Sequence, residues 1–237
     1  VLADDNFASI VAGVREGRGI FENIRKSLVY LLTGNAGELG VMLAAGLAGL
    51  PMPLLPLHLL WINLVTDGFP ALALVMDPPD RDVMARPPRR PDEPLLGRAQ
   101  WLPIAAVGAL EAAVALGLFV WALGTRSLEE ARALVFSLIV FAELFRAFAA
   151  RSPTRVLWEL GLFTNLRLLA AVALSVAAQL ALLSIPATQA LFRLGALSMP
   201  EVGLALLLAL IPVSVIEIAK LLRRSSRSPA ASPLQPA

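Results

Sequence analysis

The sequence of 237 residues contains no cysteine and a single histidine, and charged residues make up only 16% of it. The missing cysteines exclude a disulfide scaffold and any metal site built from thiolates. The shortage of charge accompanies 57% hydrophobic residues and a mean hydropathy of +0.73. The apolar runs are too long for the core of a soluble domain. We therefore expect an integral membrane protein.

Apolar stretches of membrane-spanning length recur along the chain. About 20 apolar residues cross the hydrocarbon as a helix, and these stretches are continuous and rich in Leu and Ala, unlike the alternating segments of a transmembrane strand. The sequence thus predicts an all-α membrane protein, a six-transmembrane-helix bundle with a cytoplasmic stalk extending its first helix. The predicted spans are 28–50, 54–75, 101–123, 133–150, 166–185 and 201–221.

Basic residues cluster on alternate connections between the predicted spans. By the positive-inside rule, these connections and both termini face the cytoplasm, which predicts a multi-pass protein of the plasma membrane. The pI of about 9.7 then reflects topology and contact with the lipid bilayer, and no nucleic-acid partner is expected. Arg outnumbers Lys, as in GC-rich bacterial genomes. The basic connections carry Arg15, Arg18, Arg25, Lys26, Arg81, Arg86, Arg89, Arg90, Arg98, Arg151, Arg155, Arg167, Arg223, Arg224 and Arg227.

The ends of the chain differ from its middle. Asp5 and Asn6 are suited to cap a helix that starts near Phe7 and runs unbroken into the first span, to a length of about 60 Å; a separate surface helix and turn is the alternative. The proline- and arginine-rich loop 77–98 is either solvated surface or a docking surface for a cytoplasmic domain. The Ser/Pro/Ala-rich tail, 223–237, is predicted to be disordered. The first residue is not Met, so we expect a piece of a longer protein.

Polar side chains interrupt the second span. Asn63, Thr66 and Asp67 have the i, i+3, i+4 spacing that places side chains on one face of a helix. Gly68 and Pro70 follow immediately and are expected to break the helix and expose carbonyl oxygens. Hard cations such as calcium require oxygen ligands, roughly 6–8 of them. The second span therefore predicts part of a cation site.

Further acids lie in other predicted spans. Asn35 and Glu38 share a face of the first span, and Glu143 lies in the fourth. A carboxylate at mid-membrane costs about 2.5–3.5 kcal/mol on insertion scales, so several together require partners, protons or bound cations. We predict one shared site, with a ligand count that suits calcium better than magnesium, which gives up water reluctantly.

Simpler interpretations of these residues stay open. Asn63 and Thr66 taken singly are typical of polar contacts that hold membrane helices together, and Glu143 has Arg146 one turn away as an ion-pair partner. Glu111, in the third span, has no assigned role; it faces Gln179 or a proton path, or is merely tolerated. Three further predictions concern structure: His58 at the outer interface, a small-residue packing face at Gly108 and Ala112, and an ion pair between Glu217 and Lys220.

A long motif runs through the second span and beyond it. It reads NLVTDGFPA over 63–71, DPPD over 77–80 and MARPPR over 84–89. It resembles the sixth membrane helix and following loop of P-type cation ATPases of the calcium-pump branch. The opening LADDNFASIV over 2–11, with VREGR over 14–18, is similar to that family's exit from the phosphorylation domain into the fifth-helix stalk. The resemblance covers most of the chain and is strongest in its first 90 residues.

The resemblance implies a ligand set. In it Asp67 bridges two ions, and the second ion also needs a fourth-helix glutamate that this sequence does not contain. Sodium-pump relatives are expected to carry Asp where Asn63 stands, which favours calcium, or manganese. Glu38 argues against a relative with one ion site, although the ion count stays open. The ligands that match the family's fifth, sixth and eighth helices are Asn35, Glu38, Asn63, Thr66, Asp67 and Glu143.

The resemblance also implies a function. The chain would be the ion-binding and translocating domain of an ATP-driven pump that exports Ca²⁺ with proton counter-transport. Residues 1–27 would end the phosphorylation domain and form the stalk, and 28–222 would form the transport domain. Its partners would be the pump's N-terminal membrane helices and its actuator, nucleotide-binding and phosphorylation domains, which bind ATP and Mg²⁺. The D-K-T-G and T-G-E segments are missing, so this chain alone is not expected to hydrolyse ATP.

Two other classes of function are compatible with the same residues. A secondary cation transporter or channel also uses broken helices with carboxylates near the membrane midplane. A purely structural bundle of membrane helices is the third possibility. A bound cation would raise the stability of a transporter and leave that of a structural bundle unchanged.

Overall fold

The computed structural model describes residues 7–80, 82–85, 87, 88 and 93–225. The predicted cap at Asp5 and Asn6, the start of the opening motif and the tail after residue 225 lie outside these residues, as do several loop arginines. Every regular element within the described ranges is helical, which confirms the all-α prediction. In chain order the elements are α1 (Phe7–Leu47), α2 (Pro56–Trp61), a π segment (Ile62–Asp67), α3 (Gly68–Val75), α4 (Arg98–Leu123), α5 (Leu128–Ala149), α6 (Leu157–Leu160), a 3₁₀ turn (Leu162–Thr164), α7 (Leu166–Ser184), α8 (Pro186–Phe192) and α9 (Met199–Ser225).

In the part of the chain that the structure describes, five helical segments are long and apolar enough to cross a membrane: α1, the continuous unit Pro56–Val75, α4, α7 and α9. They correspond to five of the six predicted spans. The remaining one, α5, has a similar length but carries Glu143 and Arg146 within its apolar sequence. Nearly all of its side chains are buried, because it packs against α4, α7 and α9 in the centre of the bundle.

The first helix is continuous over 41 residues, which is about 60 Å at 1.5 Å per residue. The prediction of one unbroken helix is confirmed, and the alternative of a separate surface helix is wrong. At the starts of α5 and α7, a side chain supplies a missing hydrogen-bond acceptor. Ser127 caps α5 by accepting from the Glu130 amide at 3.2 Å, and Asn165 caps α7 by accepting from the Leu168 amide at 2.9 Å.

The second span is helical throughout but changes its helix type. The expected break at Gly68 and Pro70 is wrong, because Gly68 is helical (φ −60°, ψ −50°) and the chain instead widens into the π segment. Pro70 has no amide hydrogen, so the Thr66 carbonyl lacks its usual helical donor. The Tyr30 hydroxyl of α1 donates to that carbonyl at 3.2 Å. The carbonyl that Pro70 leaves without its helical donor is therefore used in a hydrogen bond between α1 and the second span.

Small residues bring α1 and α4 close together. A methyl group added at Gly108 would lie 2.7 Å from the Ala36 Cβ, and one added at Gly40 would lie 2.8 Å from the Ala112 Cβ. Both distances are shorter than any ordinary carbon–carbon contact. The predicted packing face at Gly108 and Ala112 is confirmed, as is usual where small residues line a helix interface.

The start of loop 77–98 is fixed to the bundle. Asp77 is buried, and its carboxylate accepts bidentate hydrogen bonds from the Arg151 guanidinium, from Nε at 3.2 Å and from Nη2 at 3.0 Å. Asp80, also buried, lies 3.2 Å from an Arg155 guanidinium nitrogen and 3.6 Å from the Lys26 Nζ of α1. This part of the loop is therefore not freely solvated, and it joins the end of α3 to α1 and to the segment after α5.

Candidate ion-binding site

Three carboxylates from three helical segments meet inside the bundle. Glu38 comes from α1, Asp67 from the end of the π segment and Glu143 from α5, and one oxygen of each lies within 4.8 Å of the other two. Asp67 and Glu143 are fully buried, and Glu38 is 5% exposed. We call this group the carboxylate cluster. Its convergence is what the sequence predicted for these three residues.

Two more of the predicted ligands contact the carboxylate cluster. The Asn63 amide nitrogen donates to Glu38 Oε2 at 3.2 Å. The buried Thr66 hydroxyl donates to the Ile62 carbonyl at 2.9 Å and lies 3.4 Å from Glu143 Oε2. The π segment brings Asn63, Thr66 and Asp67 to the same place, so the pattern on the second span was correctly interpreted as one polar face.

The structure does not bring Asn35 into this group. Asn35 precedes Glu38 by three residues on α1, yet its side chain is exposed on the surface of the described bundle. Asn63 is exposed as well, although its amide reaches Glu38. The two predicted amide ligands are therefore exposed on the surface of the described bundle, whereas the three carboxylates are buried.

Several oxygens of the carboxylate cluster have no hydrogen-bond donor among the described residues. Within the described part of the chain, no group donates a hydrogen bond to Glu38 Oε1, to either Asp67 oxygen or to Glu143 Oε1. A buried carboxylate without donors or a counter-ion is strongly unfavourable. An all-oxygen set of this kind matches the ligands that a hard divalent cation prefers. The residues present therefore fit such an ion.

An arginine and a fourth acid stand beside the carboxylate cluster. The Arg146 Nη2 lies 3.8 Å from Glu143 Oε1 and 3.6 Å from Glu111 Oε2. Its Nη1 donates to the Tyr30 carbonyl at 2.8 Å, and the guanidinium lies over the Tyr30 ring at 5.2 Å. A contact with Gln179 was one of three possibilities left open for Glu111. The two side chains are not hydrogen-bonded in the described part of the chain: Gln179 accepts from the Trp61 indole at 3.0 Å, and no described group donates to either Glu111 oxygen.

The contacts of Arg146 with Glu143 and Glu111 were only partly predictable from the sequence. The Arg146 spacing from Glu143 was visible, since the two are separated by one helical turn. The partnership with Glu111 was not, because it depends on how α4 packs against α5. The predicted pairing of Glu143 with Arg146 and its membership in the carboxylate cluster turn out to be compatible.

A glycine lets the carboxylate cluster approach the α1 backbone. A methyl group at Gly34 would lie 2.7 Å from Glu143 Oε1, 3.0 Å from Arg146 Nη2 and 3.4 Å from Asp67 Oδ2. Any side chain at this position would displace the acids that form the group. Gly34 has no predicted role, because a glycine in a helix rich in Ala and Gly does not by itself indicate a contact.

Two remaining predictions concern the ends of the bundle. His58, predicted near the outer interface, is fully buried within the bundle: its Nε2 is 2.7 Å from the Phe192 carbonyl, and its ring stacks on Phe136 at 4.8 Å. The burial follows from α8 folding over the start of α2. The predicted pair of Glu217 and Lys220 is confirmed, at 2.6 Å.

Fold and site together define a helical membrane segment with a buried oxygen cluster suited to a cation. Residues 51–222 match the family described as cation transporting ATPase, C-terminus. The chain belongs to this family and is a membrane-spanning region of a cation-transporting ATPase. The predicted resemblance to the calcium-pump branch of P-type ATPases is thereby confirmed.

Proteins similar to this chain are described as calcium-transporting or cation-transporting ATPases. The chain is 39% identical over 226 residues to a calcium-transporting ATPase of Bacillus subtilis (strain 168), covering 94% of this chain and 25% of that protein. It is 42% identical over 195 residues to the probable cation-transporting ATPase F of Mycobacterium tuberculosis (strain ATCC 25618 / H37Rv), covering 81% and 21%. It is 34% identical over 234 residues to calcium-transporting ATPase 1 of Yarrowia lipolytica (strain CLIB 122 / E 150), covering 96% and 25%. The chain thus spans about a quarter of the length of these relatives.

Proposed function

We propose that this chain is the ion-binding and translocating membrane domain of an ATP-driven pump that exports Ca²⁺ from the cytoplasm in exchange for protons. The observation that carries the proposal is the convergence of Glu38, Asp67 and Glu143 from three helical segments. The printed names of the Bacillus and Yarrowia relatives support calcium as the cargo. Counter-transport follows because emptied carboxylates in a low-dielectric interior require neutralising protons.

The proposed ligands supply only oxygen atoms. Carboxylates at the cluster would provide most of them, and the hydroxyl and amide groups that hydrogen-bond to Glu38 and Glu143 would provide the rest once they turn toward the ion. Mn²⁺ accepts oxygen ligands too and is the second candidate cargo. The full proposed set is Asn35, Glu38, Asn63, Thr66, Asp67 and Glu143.

The remaining ligands and the energy source would come from other parts of the pump. Asn35 and Asn63 are exposed beside large apolar residues such as Leu39, Leu64 and Leu72, and N-terminal membrane helices of the same pump would cover this side. ATP and Mg²⁺ would bind to the actuator, nucleotide-binding and phosphorylation domains. The N-terminal half of α1 would be the cytoplasmic stalk that connects to them.

We infer six membrane crossings for the domain, with α5 as the one that length and composition alone do not identify. Its 22 residues are long enough to span the hydrocarbon, and its two charged groups face partners inside the bundle. An even number of crossings puts both termini on one side. By the positive-inside rule the basic residues support a cytoplasmic location for that side, and we propose that the membrane is the plasma membrane.

The rival functions are not favoured. A self-sufficient secondary transporter or channel is not what family membership indicates. A structural bundle does not account for the four buried oxygens of the carboxylate cluster to which no described group donates a hydrogen bond.

The test uses the full-length ATPase. Asp67→Asn removes the one carboxylate that the second span contributes to the cluster, and we expect it to abolish calcium-dependent phosphorylation by ATP, with calcium and manganese tested in parallel. Glu159→Gln, at an exposed acid far from the carboxylate cluster, is the matched control and should phosphorylate like the wild type. Normal calcium-dependent phosphoenzyme in Asp67→Asn would refute the assignment.

A further inference from the structure

Glu111 is a buried acid to which the proposed ion site assigns no role. It lies near the middle of α4, a helix that contributes none of the proposed ligands, and it is 1% exposed. Its side chain packs against α1, where a methyl group at Gly37 would lie 3.2 Å from the Glu111 Cδ. Among the described residues, none donates a hydrogen bond to either of its carboxylate oxygens. A charge in such a place requires a compensating group.

The compensating group is Arg146, which Glu111 shares with Glu143. The Arg146 Nη2 lies 3.6 Å from Glu111 Oε2 and 3.8 Å from Glu143 Oε1. Both distances exceed the 2.7–3.2 Å of an N–H···O hydrogen bond. Among the described residues, only the Tyr30 carbonyl accepts a hydrogen bond from this guanidinium, and it does so from Nη1. The guanidinium is therefore anchored at one end and uncommitted between two acids at the other.

Cation binding would change how the Arg146 guanidinium is shared between Glu111 and Glu143. The Glu143 oxygen that faces Arg146 is Oε1, which no described group hydrogen-bonds and which would therefore be available to an ion. A divalent ion beside it repels the guanidinium, because both are positive. Glu111 offers the nearby negative partner: a shift of about 0.6 Å would bring Nη2 from 3.6 Å to hydrogen-bond distance of Glu111 Oε2.

We propose that Glu111 is a positioning residue that takes over the Arg146 guanidinium when a cation binds and so frees Glu143 as a ligand. The inference rests on the proposed function, because it assumes that Glu143 binds the transported ion. Residues that hold and orient metal ligands typically change metal affinity by 10–100-fold when mutated. We expect that range for loss of the Glu111 charge.

The experiment is a double-mutant cycle in the full-length ATPase, with equilibrium binding of radioactive calcium as the readout. Glu111→Gln keeps the shape and removes the charge, and it is expected to weaken calcium binding by about 10–100-fold, since Arg146 then stays with Glu143. In an Arg146→Gln background the same change should alter affinity by less than about threefold, because no guanidinium remains to be held. A merely structural role for Glu111 would give equal losses in both backgrounds.

Two further variants keep the test decisive. Glu111→Asp retains the charge and should bind calcium more tightly than Glu111→Gln; the reverse order would overturn the proposal. Glu201→Gln alters another buried acid, paired with Arg126 at 2.9 Å, and should bind calcium like the wild type. Calcium-induced protection against thermal unfolding provides a second measure of the affinities.

The outcomes separate this inference from the function on which it rests. Wild-type protein that binds no calcium refutes the proposed function. Wild-type protein that binds calcium, combined with unchanged affinity in Glu111→Gln, or with equal losses in both Arg146 backgrounds, refutes the role of Glu111 alone.

Discussion

Replacement of Gly34 by alanine is a small change aimed at the centre of the proposed site. The new methyl group would lie 2.7 Å from Glu143 Oε1 and 3.4 Å from Asp67 Oδ2. Ordinary van der Waals contact begins near 3.4 Å, so the Glu143 carboxylate has to retreat by roughly 0.7 Å. The atom that moves is the end of the Glu143 side chain, so the fold can accommodate the new methyl group. The same movement displaces a proposed calcium ligand from its position.

The expected magnitudes follow from these contacts. Alanine favours a helix over glycine by about 1 kcal/mol, which offsets much of an overpacking cost of about 1–3 kcal/mol. The thermal stability of the ion-free protein should therefore change little. Calcium affinity should fall by at least about tenfold, equivalent to 1.4 kcal/mol, because one carboxylate is held away from the others.

Gly46→Ala is the matched control, since Gly46 lies in the same helix and a methyl group there meets no atom within 4 Å. It should leave calcium affinity unchanged. Equilibrium binding of radioactive calcium to the full-length ATPase, with thermal unfolding in the absence of calcium, measures both effects. Wild-type affinity in Gly34→Ala, or an equal loss in Gly46→Ala, would show that the carboxylate cluster is not where calcium binds.

Two other predictions concern binding stoichiometry and the loop. Glu143→Ala should lower the number of calcium ions bound per protein without removing all binding; unchanged stoichiometry would leave Glu143 with a packing role only. Arg151→Leu removes the cation that pairs with the buried Asp77 and leaves the Asn165 amide as a donor to that carboxylate, so it should lower the free energy of unfolding by about 3–5 kcal/mol, measured by denaturant or thermal unfolding. Glu159→Gln is its control, because Glu159 is an exposed acid whose pKa is lowered by the Arg224 guanidinium, and loss of that surface pair should leave the unfolding temperature unchanged.

The helices and their approximate limits were predictable because membrane-spanning length is a strong constraint. The predicted second span, 54–75, and the unit Pro56–Val75 agree within two residues. The predicted fourth span began at 133, whereas α5 begins at Leu128. The difference arises because the charged first turn of α5, capped by Ser127, belongs to the helix but not to the apolar run.

Within the site, spacing along one helix was informative and contacts between helices were not. The i, i+3, i+4 pattern of Asn63, Thr66 and Asp67 indicated a common face, and the structure has them together. The positions of Glu111 and His58 depend on which neighbouring helix packs against them, and hydropathy does not contain that information. The π segment was missed for a similar reason, since Gly68 and Pro70 permit several backbone solutions and the Tyr30 hydroxyl favours one.

The contact of Lys26 with Asp80 has a mechanical consequence for α1. It fixes the long helix to the loop and, through Arg155, to the segment after α5. A force on the N-terminal end would then rotate α1 about this point instead of sliding it. Glu38 lies twelve residues further along, about 18 Å away, so a tilt of only 5° would swing its carboxylate by about 1.6 Å. That displacement is more than half of a calcium–oxygen bond length of 2.3–2.6 Å, enough to separate Glu38, as a proposed ligand, from a bound ion while most of the bundle stays still.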